Sequence, residues 1–249
     1  MNLLPPLFAT MLTLTLGGCG GGSSSAPTTS PPPPFTAEQG IWSSPAGAAD
    51  NMSAIVLIDG KIWALAGNNS TSQLLRGEFD APGGLLKGSG RNYTLGTIPT
   101  VHENISLAAS VIQKTSLNVT VTASTPVAYN LAYQSRYDTA AALTDFAAIA
   151  WKTPLPSNVV LTWLIDSSGK IAGTSSTGCS YDGQLSLRAE AKAVVDAAVT
   201  QTCLGKAVVA DQIRNFNGVA VRTAGSTAGM VMMLTTADDT EDLAVILSQ

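Results

Sequence analysis

The sequence predicts an all-β protein, built as two small antiparallel β-barrel or sandwich domains in tandem with one short connecting helix. Short runs in which apolar and polar residues alternate recur along the chain, whereas sustained helical periodicity is scarce. Turn-forming residues separate many of these runs, as expected for hairpins. A tryptophan precedes the first hairpin of each half, at Trp42 and Trp151, which indicates a weak internal repeat.

The first eighteen residues have the composition of a secretory signal peptide. Residues 3–16 are apolar apart from three threonines, and this run is too short to cross about 30 Å of hydrocarbon. The following Leu16-Gly17-Gly18-Cys19 resembles the lipobox of bacterial lipoprotein signals, which implies acylation of the Cys19 thiol and cleavage before it. We therefore predict a lipoprotein signal peptide over residues 1–18 and lipidation at Cys19; the alternatives are an ordinary cleaved signal, or a flexible start in which the cysteine occurs by chance.

Residues 19–35 are predicted to be a tether that holds the folded domains away from the bilayer. The segment is rich in glycine and serine at first and in proline later, so it is expected to be flexible and then stiffer. Gly20 occupies the position where an aspartate favours inner-membrane retention in many Gram-negative bacteria. The predicted location is therefore the outer membrane, on either its periplasmic or its surface side.

Hairpins are predicted throughout the N-terminal β-domain, residues 36–137. Two apolar runs flank Asp59-Gly60, a dipeptide suited to a two-residue type I′ turn, and a second pair of strands flanks residues 113–115. Two later strands place alternate residues on one face: these are Leu117, Val119 and Val121 in one strand, and Val127, Tyr129, Leu131 and Tyr133 in the next.

The best helix candidate connects the two domains. Residues 140–150 are rich in alanine, the strongest helix former, and Asp138 or Thr139 could cap two or three turns. The boundary between the domains is placed before Asp138, so that residues 138–249 form the C-terminal β-domain.

A disulfide is expected in the C-terminal domain. Cys179 and Cys203 are the two cysteines left once Cys19 is acylated, and paired cysteines in an exported protein form a disulfide by default. Residues 191–203 suit a helix by their alanines but also alternate as a strand does, and the expected disulfide favours a strand beside residues 179–183. Tyr181, Leu185 and Leu187 would share the face of Cys179.

The remaining strands of this domain are predicted from short apolar runs. A hairpin turns at residues 166–169, and three further strands cover residues 217–223, 228–236 and 242–249. Leu243, Val245 and Leu247 of the last strand would pair to close a sheet.

Two resemblances follow from these segments. Gly40-Ile41-Trp42 ahead of antiparallel strands resembles the opening of lipocalin-like (calycin) barrels, in which the tryptophan plugs the closed end; the second copy, Ile149-Ala150-Trp151, lacks the glycine. The order of residues 129–151, 166–188 and 217–223, around the glycine-flanked Cys179 hairpin, resembles a group of uncharacterised proteobacterial outer-membrane lipoproteins with two β-rich domains. That resemblance implies secretion and a β-rich body, and it implies no activity.

No catalytic, metal or cofactor site is predicted. His102 and Glu103 could form part of a catalytic group, but no nucleophile elbow surrounds any serine, so His102 is expected in a solvated polar loop over residues 99–104. The densest acidic cluster, Asp238, Asp239, Glu241 and Asp242, lacks calcium-loop spacing and is interpreted as a charged hairpin loop. We expect no enzyme and no cofactor.

Composition and the methionines limit the possible partners. The net charge is −4, charged residues are 12% of the chain, and the absence of a basic run argues against a nucleic-acid partner. Met230 and Met232 share one strand face, where they could fill a core or line an apolar ligand cavity.

The sequence-based hypothesis is a lipid-anchored envelope protein that acts as a non-catalytic binding or scaffolding module at the outer membrane. Its partners would be the membrane, through the lipid anchor, and a protein of the cell envelope. The alternative is a lipocalin-like carrier of a small apolar ligand. A hydrolase that uses His102 is the third hypothesis.

Overall fold

Two closed β-barrels follow one another along the chain in the computed structural model. It describes residues 34–67, 72–96, 100–154, 159–204, 212–223 and 229–248. The predicted signal peptide, Cys19 and nearly all of the tether lie outside the described residues. The all-β prediction is confirmed, and the choice between barrel and sandwich is decided in favour of barrels.

The first barrel is an antiparallel meander in which each strand pairs with the next. Its strands are β1 (Gly40–Ser43), β2 (Asn51–Val56), β3 (Lys61–Gly67), β4 (Ser72–Phe79), β5 (Leu85–Thr94), β6 (Val101–Ile112), β7 (Ser116–Thr122) and β8 (Pro126–Tyr133). The barrel closes where β1 pairs with β8, with Trp42 opposite Tyr133.

The second barrel has the same order of strands. Its strands are β9 (Ala148–Pro154), β10 (Val160–Ile165), β11 (Lys170–Ser175), β12 (Ser180–Leu187), β13 (Val194–Cys203), β14 (Gln212–Arg222), β15 (Gly229–Thr236) and β16 (Asp242–Ser248). It closes where β16 pairs with β9, with Ser248 opposite Lys152. The predicted closing role of the last strand is therefore confirmed.

Strand alternation fills both barrels with apolar side chains, because successive residues of a strand point to opposite faces. The predicted inward faces of β7 and β8 lie in the core of the first barrel, with Leu117 and Val119 fully buried. Val195, Ala197 and Val199 of β13 lie in the core of the second barrel. The strand interpretation of residues 191–203 is thus confirmed.

A lead-in segment before each barrel holds a tryptophan in the barrel core. The indole N–H of Trp42 donates to the carbonyl of Glu38 (3.2 Å), and that of Trp151 donates to the carbonyl of Phe146 (2.8 Å). Both indole rings are fully buried. We call the end of each barrel that carries this segment the lead-in end, and the opposite end the far end.

Phe35, the last residue assigned to the tether, belongs to the first barrel. It is 4% exposed, and its backbone N–H donates to the carbonyl of Ile58 (2.9 Å). A Cβ atom at Gly60 would lie 2.5 Å from the Phe35 ring, and Gly60 also has a positive φ of 84°. Glycine at this turn therefore does two things: it adopts the left-handed backbone conformation, and it leaves room for the Phe35 ring of the lead-in segment.

The predicted two-residue type I′ turn at Asp59-Gly60 is wrong. The N–H of Leu57 donates to the carbonyl of Lys61, the N–H of Gly60 donates to the carbonyl of Leu57, and only Gly60 in this turn has a positive φ. This is a three-residue connection in which a type I turn is followed by a left-handed glycine. The turns that end at Gly169 and Gly178 repeat the pattern.

The predicted helix over residues 140–150 is wrong as an α-helix. Two short 3₁₀ turns, Ser135–Asp138 and Leu143–Asp145, are present instead, and β9 begins at Ala148. The backbone N–H of Ala141 donates to the carbonyl of Lys192 (3.0 Å). Contacts with the second barrel thus override the helix propensity of a short alanine-rich segment.

The Cys179–Cys203 disulfide is present and lies in the core of the second barrel. It joins Cys179, just before β12, to Cys203 at the end of β13, and every residue of β12 is paired with β13. Tyr181 and Leu185 are buried on the same face as Cys179. Leu187 shares this face by the register of the strand, where it lies opposite Val195, but it is 55% exposed because the strand end passes beyond the barrel core.

Removing this disulfide is expected to lower the free energy of unfolding by about 3 kcal/mol, since the bond closes a loop of roughly 25 residues in the unfolded chain. Urea unfolding of the Cys179→Ala/Cys203→Ala variant measures this cost. The oxidised wild type and the wild type under a reducing agent serve as controls, and the reduced wild type is expected to behave as the variant does. Equal stability of all three samples would contradict the prediction.

The two barrels pack side by side through a shared apolar cluster. Outward-facing residues of the first barrel meet outward-facing residues of β13–β15; the buried members are Ile41, Ile55, Leu57, Trp63, Leu74, Tyr93, Tyr137, Val194, Val219, Val221 and Met233. At the lead-in ends, the N–H of Ala193 donates to the carbonyl of Tyr137 (3.1 Å). At the far end, the β15–β16 turn reaches Tyr93. Both lead-in ends therefore face the same side.

Asp138, predicted as a helix cap, instead links the two barrels. Its carboxylate accepts hydrogen bonds from Lys114 (2.8 Å), Lys192 (3.0 Å) and the Tyr133 hydroxyl (3.0 Å). The hydrogen bonds from the two lysines lower the pKa of Asp138 to about 2.

Candidate functional site: the cleft between the barrels

A cleft of about 400 Å³ lies between the outer walls of the two barrels. The first barrel contributes the β2–β3 turn and the outer faces of β3 and β4, and the second barrel contributes the outer faces of β12–β15. Its polar lining includes Asp59, Lys61, Arg76, Arg188, Asp196 and Asn217. The cleft exists because the apolar cluster joins two convex walls over only part of their surfaces.

The charges that line the cleft are paired. Lys61 contacts Asp59 at 2.7 Å, and Arg188 contacts both Asp196 and Glu190. Burial acts to lower the pKa of Arg188, but the two carboxylates outweigh it and raise that pKa. The lining thus offers fixed positive and negative groups without a net excess of either sign.

Apolar residues form the inner part of the cleft. Leu57, Trp63 and Val219 line it and belong to the inter-barrel cluster. The guanidinium carbon of Arg76 lies 6.0 Å from the Trp63 ring centre, within the range of a cation–π contact. Arg76 is therefore held between the apolar interior and the charged rim.

Asp239 of the β15–β16 turn locks this arrangement. Arg76 and Arg91 are directly opposite each other on β4 and β5, a pairing of like charges that is unfavourable by itself. The Asp239 carboxylate accepts a hydrogen bond from Arg76 at 2.7 Å. Its backbone carbonyl accepts hydrogen bonds from Arg91 (2.9 Å) and from the Tyr93 hydroxyl (3.0 Å). A single turn of the second barrel thereby neutralises the arginine pair on the first.

The local conformation of the turn presents Asp239 to the first barrel. Asp239 has a left-handed φ of 56°, a conformation that aspartate tolerates better than most residues. Its N–H donates to the carbonyl of Thr236 (3.0 Å), and Asp238 accepts hydrogen bonds from Thr236 and Thr240. The predicted charged hairpin loop is confirmed, and its role in joining the barrels was not predicted.

Asp239→Ala is expected to lower the free energy of unfolding by about 1–2 kcal/mol, because it removes the carboxylate that pairs with Arg76 and that offsets the repulsion between Arg76 and Arg91. The partial exposure of the pair keeps the expected cost below that of a buried pair. Urea unfolding measures the loss. Asp182→Ala, at an exposed carboxylate on β12, is the matched control and should change stability by less than about 0.5 kcal/mol. Equal effects of the two substitutions would contradict the role of Asp239.

Asp242, next to this turn, makes stability depend on pH. Burial raises the pKa of Asp242 to about 6, against the lowering effect of hydrogen bonds from its own backbone and from the Thr100 side chain. The folded state then retains a proton that the unfolded chain releases near pH 4. Stability therefore falls as the pH rises from about 4 to about 6.

Asp242→Asn is expected to remove this fall and to stabilise the protein at pH 8 by about 2 kcal/mol. Urea unfolding at pH 4 and pH 8 gives the difference for wild type and variant, with Asp182→Asn as the control for loss of an exposed carboxylate. An unchanged pH dependence in Asp242→Asn would contradict the assignment.

The structure does not join His102 and Glu103 into a catalytic group. Both residues lie in β6 and not in the predicted loop, and as neighbours in a strand they point to opposite faces. The exposed His102 lies opposite Tyr93, whereas Glu103 accepts a hydrogen bond from Asn92 (3.1 Å). The loop prediction was wrong because the polar residues 102–104 extend a long strand beyond the apolar part of the barrel.

The methionines of β15 are buried in apolar clusters. Met230 and Met232 are buried inside the second barrel, and Met233 lies in the inter-barrel cluster. Among the described residues, no group of three His, Cys, Asp or Glu side chains is placed to hold a metal ion. Within the same residues, no helix is long and apolar enough to span a bilayer.

Comparison of the chain with protein-family models, with curated proteins and with solved structures gives no match.

The cleft itself was missed at the sequence level. Arg76 and Asp239 are separated by 163 positions, and the sequence contains no spacing that brings them together. The one usable signal was the acidic run at residues 238–242 in a chain that has few charged residues. Such a run is a candidate for contact with a basic surface elsewhere in the same protein.

Proposed function

We propose that this chain is a lipid-anchored protein of the cell envelope that binds a partner through the cleft between its barrels and catalyses no reaction. The cleft carries the proposal, because it combines fixed charges of both signs with an apolar interior. A surface of this kind recognises a partner that is itself polar and of mixed charge, such as a folded envelope protein.

The chemistry of the cleft supports binding over catalysis. Lys61 and Arg188 are each held by a carboxylate, so neither is presented as a free nucleophile or a free acid. The hydroxyl groups of the lining, such as Ser186, have no histidine beside them among the lining residues. A carboxylate could also act as general base, but the lining carboxylates of Asp59, Asp196 and Asp239 are paired with Lys61, Arg188 and Arg76.

The sequence before the barrels supports the anchored location. The lipobox-like Leu16-Gly17-Gly18-Cys19 and the glycine, serine and proline-rich tether precede the first described residue. A tethered, paired barrel fits a scaffold that must keep a binding surface at a fixed place on the membrane.

No observation favours the lipocalin-like carrier over this proposal. Inward positions of both barrels hold large side chains, and Trp151, Trp163 and Tyr181 are packed together with aliphatic residues in the second barrel. A carrier would need an open volume among these groups.

Cross-linking of the anchored protein in intact envelopes tests the proposal. A reproducible partner is expected with the wild type and to be lost with Asn217→Arg, which places a long cation at an exposed position of the cleft. Asn118→Arg, at an exposed outer position of β7, is the matched control and should retain the partner. Recovery of the same partner with Asn217→Arg, or of none with the wild type, would contradict the proposal.

A further inference from the structure

The arginine pair on the outer wall of the first barrel has the form of an anion-binding site. Arg76 and Arg91 lie directly opposite each other on β4 and β5, where two like charges repel each other. Within the described residues, no carboxylate of the first barrel forms an ion pair with either arginine. The first barrel therefore presents two guanidiniums without an acid of its own beside them.

Three donors of this wall converge on Asp239, a residue of the second barrel. Arg76 donates to the Asp239 carboxylate, whereas Arg91 and the Tyr93 hydroxyl donate to its backbone carbonyl. A convergent set of donors that includes two guanidiniums is the chemistry that proteins use to recognise a carboxylate. The donor set therefore suits a carboxylate, and Asp239 is the residue that meets it in this structure.

The fit of Asp239 to these donors is incomplete. Its carboxylate meets Arg76 at Nη1, and among the described residues the buried Nε of Arg76 has no hydrogen-bond partner. A free carboxylate can bind a guanidinium through two parallel hydrogen bonds. Arg91 donates to a neutral carbonyl oxygen, although a charged acceptor forms the stronger bond. The arginine pair therefore retains capacity for a better anionic ligand.

The contact of Asp239 with the first barrel can be exchanged without separating the barrels. Asp239 lies at the tip of the β15–β16 turn, and its other carboxylate oxygen accepts a hydrogen bond from Thr235 of its own barrel (3.2 Å). Asp242, at the base of the turn, is bonded separately to the Thr100 side chain of the first barrel. The inter-barrel apolar cluster does not include Asp239. The tip of the turn is therefore free to move while the rest of the contact holds.

This site borders the cleft. Arg76 and Asp239 both line the cleft, and their side chains are 29% and 25% exposed. We infer that Arg76 and Arg91 bind a carboxylate of the partner protein, and that Asp239 occupies their site in cis until the partner displaces it. The inference rests on the proposed function, because the partner enters through the cleft. Asp239 is then an internal competitor, whose removal lowers stability but strengthens partner binding.

Acetate tests the site without the partner. Asp239→Ala empties the site, so acetate is expected to raise the urea midpoint of this variant above its value in chloride at equal ionic strength and pH. The controls are the wild type, whose site is filled, and Asp239→Ala/Arg76→Gln, which lacks one guanidinium; neither should distinguish the two salts. The same midpoint of Asp239→Ala in acetate and chloride would overturn the inference. An equal rise in all three proteins would indicate an adventitious additive only and would overturn it as well.

Cross-linking in intact envelopes tests the competition. Asp239→Ala is expected to increase recovery of the partner about tenfold where affinity limits it, because the internal competitor is gone. Arg76→Gln should decrease recovery, and Asp182→Ala, at an exposed carboxylate outside the cleft lining, should leave it unchanged. A decrease with Asp239→Ala would overturn the inference, since it would leave Asp239 a purely structural role. Recovery of no partner with any of these proteins would overturn the proposed function and the displacement together, whereas the acetate measurement still decides whether the arginines bind a carboxylate.

Discussion

Cys19→Ser is expected to leave the leader uncut and unacylated, and therefore to remove the protein from the outer-membrane fraction. The serine hydroxyl cannot form the thioether on which lipoprotein maturation depends, and without acyl chains the described barrels have no anchor. One acyl chain binds a bilayer only marginally, so a stable anchor needs the multiple chains that a mature lipoprotein carries. Fractionation of a Gram-negative host that expresses the wild type and the variant measures the change.

The disulfide variant provides the control for Cys19→Ser. Cys179→Ser/Cys203→Ser removes two thiols from the second barrel but retains Cys19, so it should stay in the membrane fraction. An equal share of Cys19→Ser and wild type in the outer-membrane fraction, separated from the inner membrane by density, would contradict lipidation at this position. Release of the disulfide variant as well would indicate that misfolding, and not anchoring, controls the fractionation.

Trp151→Ala is expected to lower the free energy of unfolding by about 3–5 kcal/mol, the range for truncation of a buried tryptophan. The ring is fully buried, its N–H donates to the carbonyl of Phe146, and the Arg222 guanidinium lies 5.0 Å from its centre. The substitution therefore leaves a cavity, an unpaired carbonyl and an arginine that has lost its aromatic contact. Urea unfolding followed by circular dichroism measures the loss.

Trp151→Phe is the graded control for this prediction, because it retains most of the ring volume and loses the indole hydrogen bond. Its cost should fall below that of Trp151→Ala. Since the barrels share an apolar cluster, both variants should still unfold in one transition. A cost below about 1 kcal/mol for Trp151→Ala would contradict the role of the lead-in tryptophan.

The β-strands could be predicted because their signal is local. Alternation of Leu117, Val119 and Val121 with polar neighbours needs only the knowledge that a strand has two faces. The two-halves interpretation succeeded for the same reason, since each half repeats a tryptophan, a glycine-containing turn and outward strands. The disulfide was predictable from the count of cysteines in a chain that was expected to be exported.

The failures depend on contacts that the local sequence does not encode. The alanine-rich segment 140–150 has the propensity of a helix, but its backbone bonds to Lys192 and its end joins β9. The turn at Gly60 accommodates the ring of Phe35, which comes from a segment that composition assigned to the tether. His102 appeared to be in a loop because both faces of β6 are exposed where the strand begins.

The cleft could not be predicted because it arises from the docking of two barrels. Trp63 and Val219 each lie on the outward face of a strand, where alternation alone predicts solvent exposure. Apolar residues at such outward positions indicate an interface, but they do not identify which surface of the other barrel covers them. The pairing of Arg76 with Asp239 depends on the same docking.

The chemical state of the mature N-terminus tests the proposed lipid anchor most directly. Cells are grown with an alkyne analogue of palmitate, and the purified protein is examined for the label and for the mass of its N-terminal peptide. We expect a labelled peptide that begins at Cys19. An unlabelled protein that still carries residues 1–18 would contradict it.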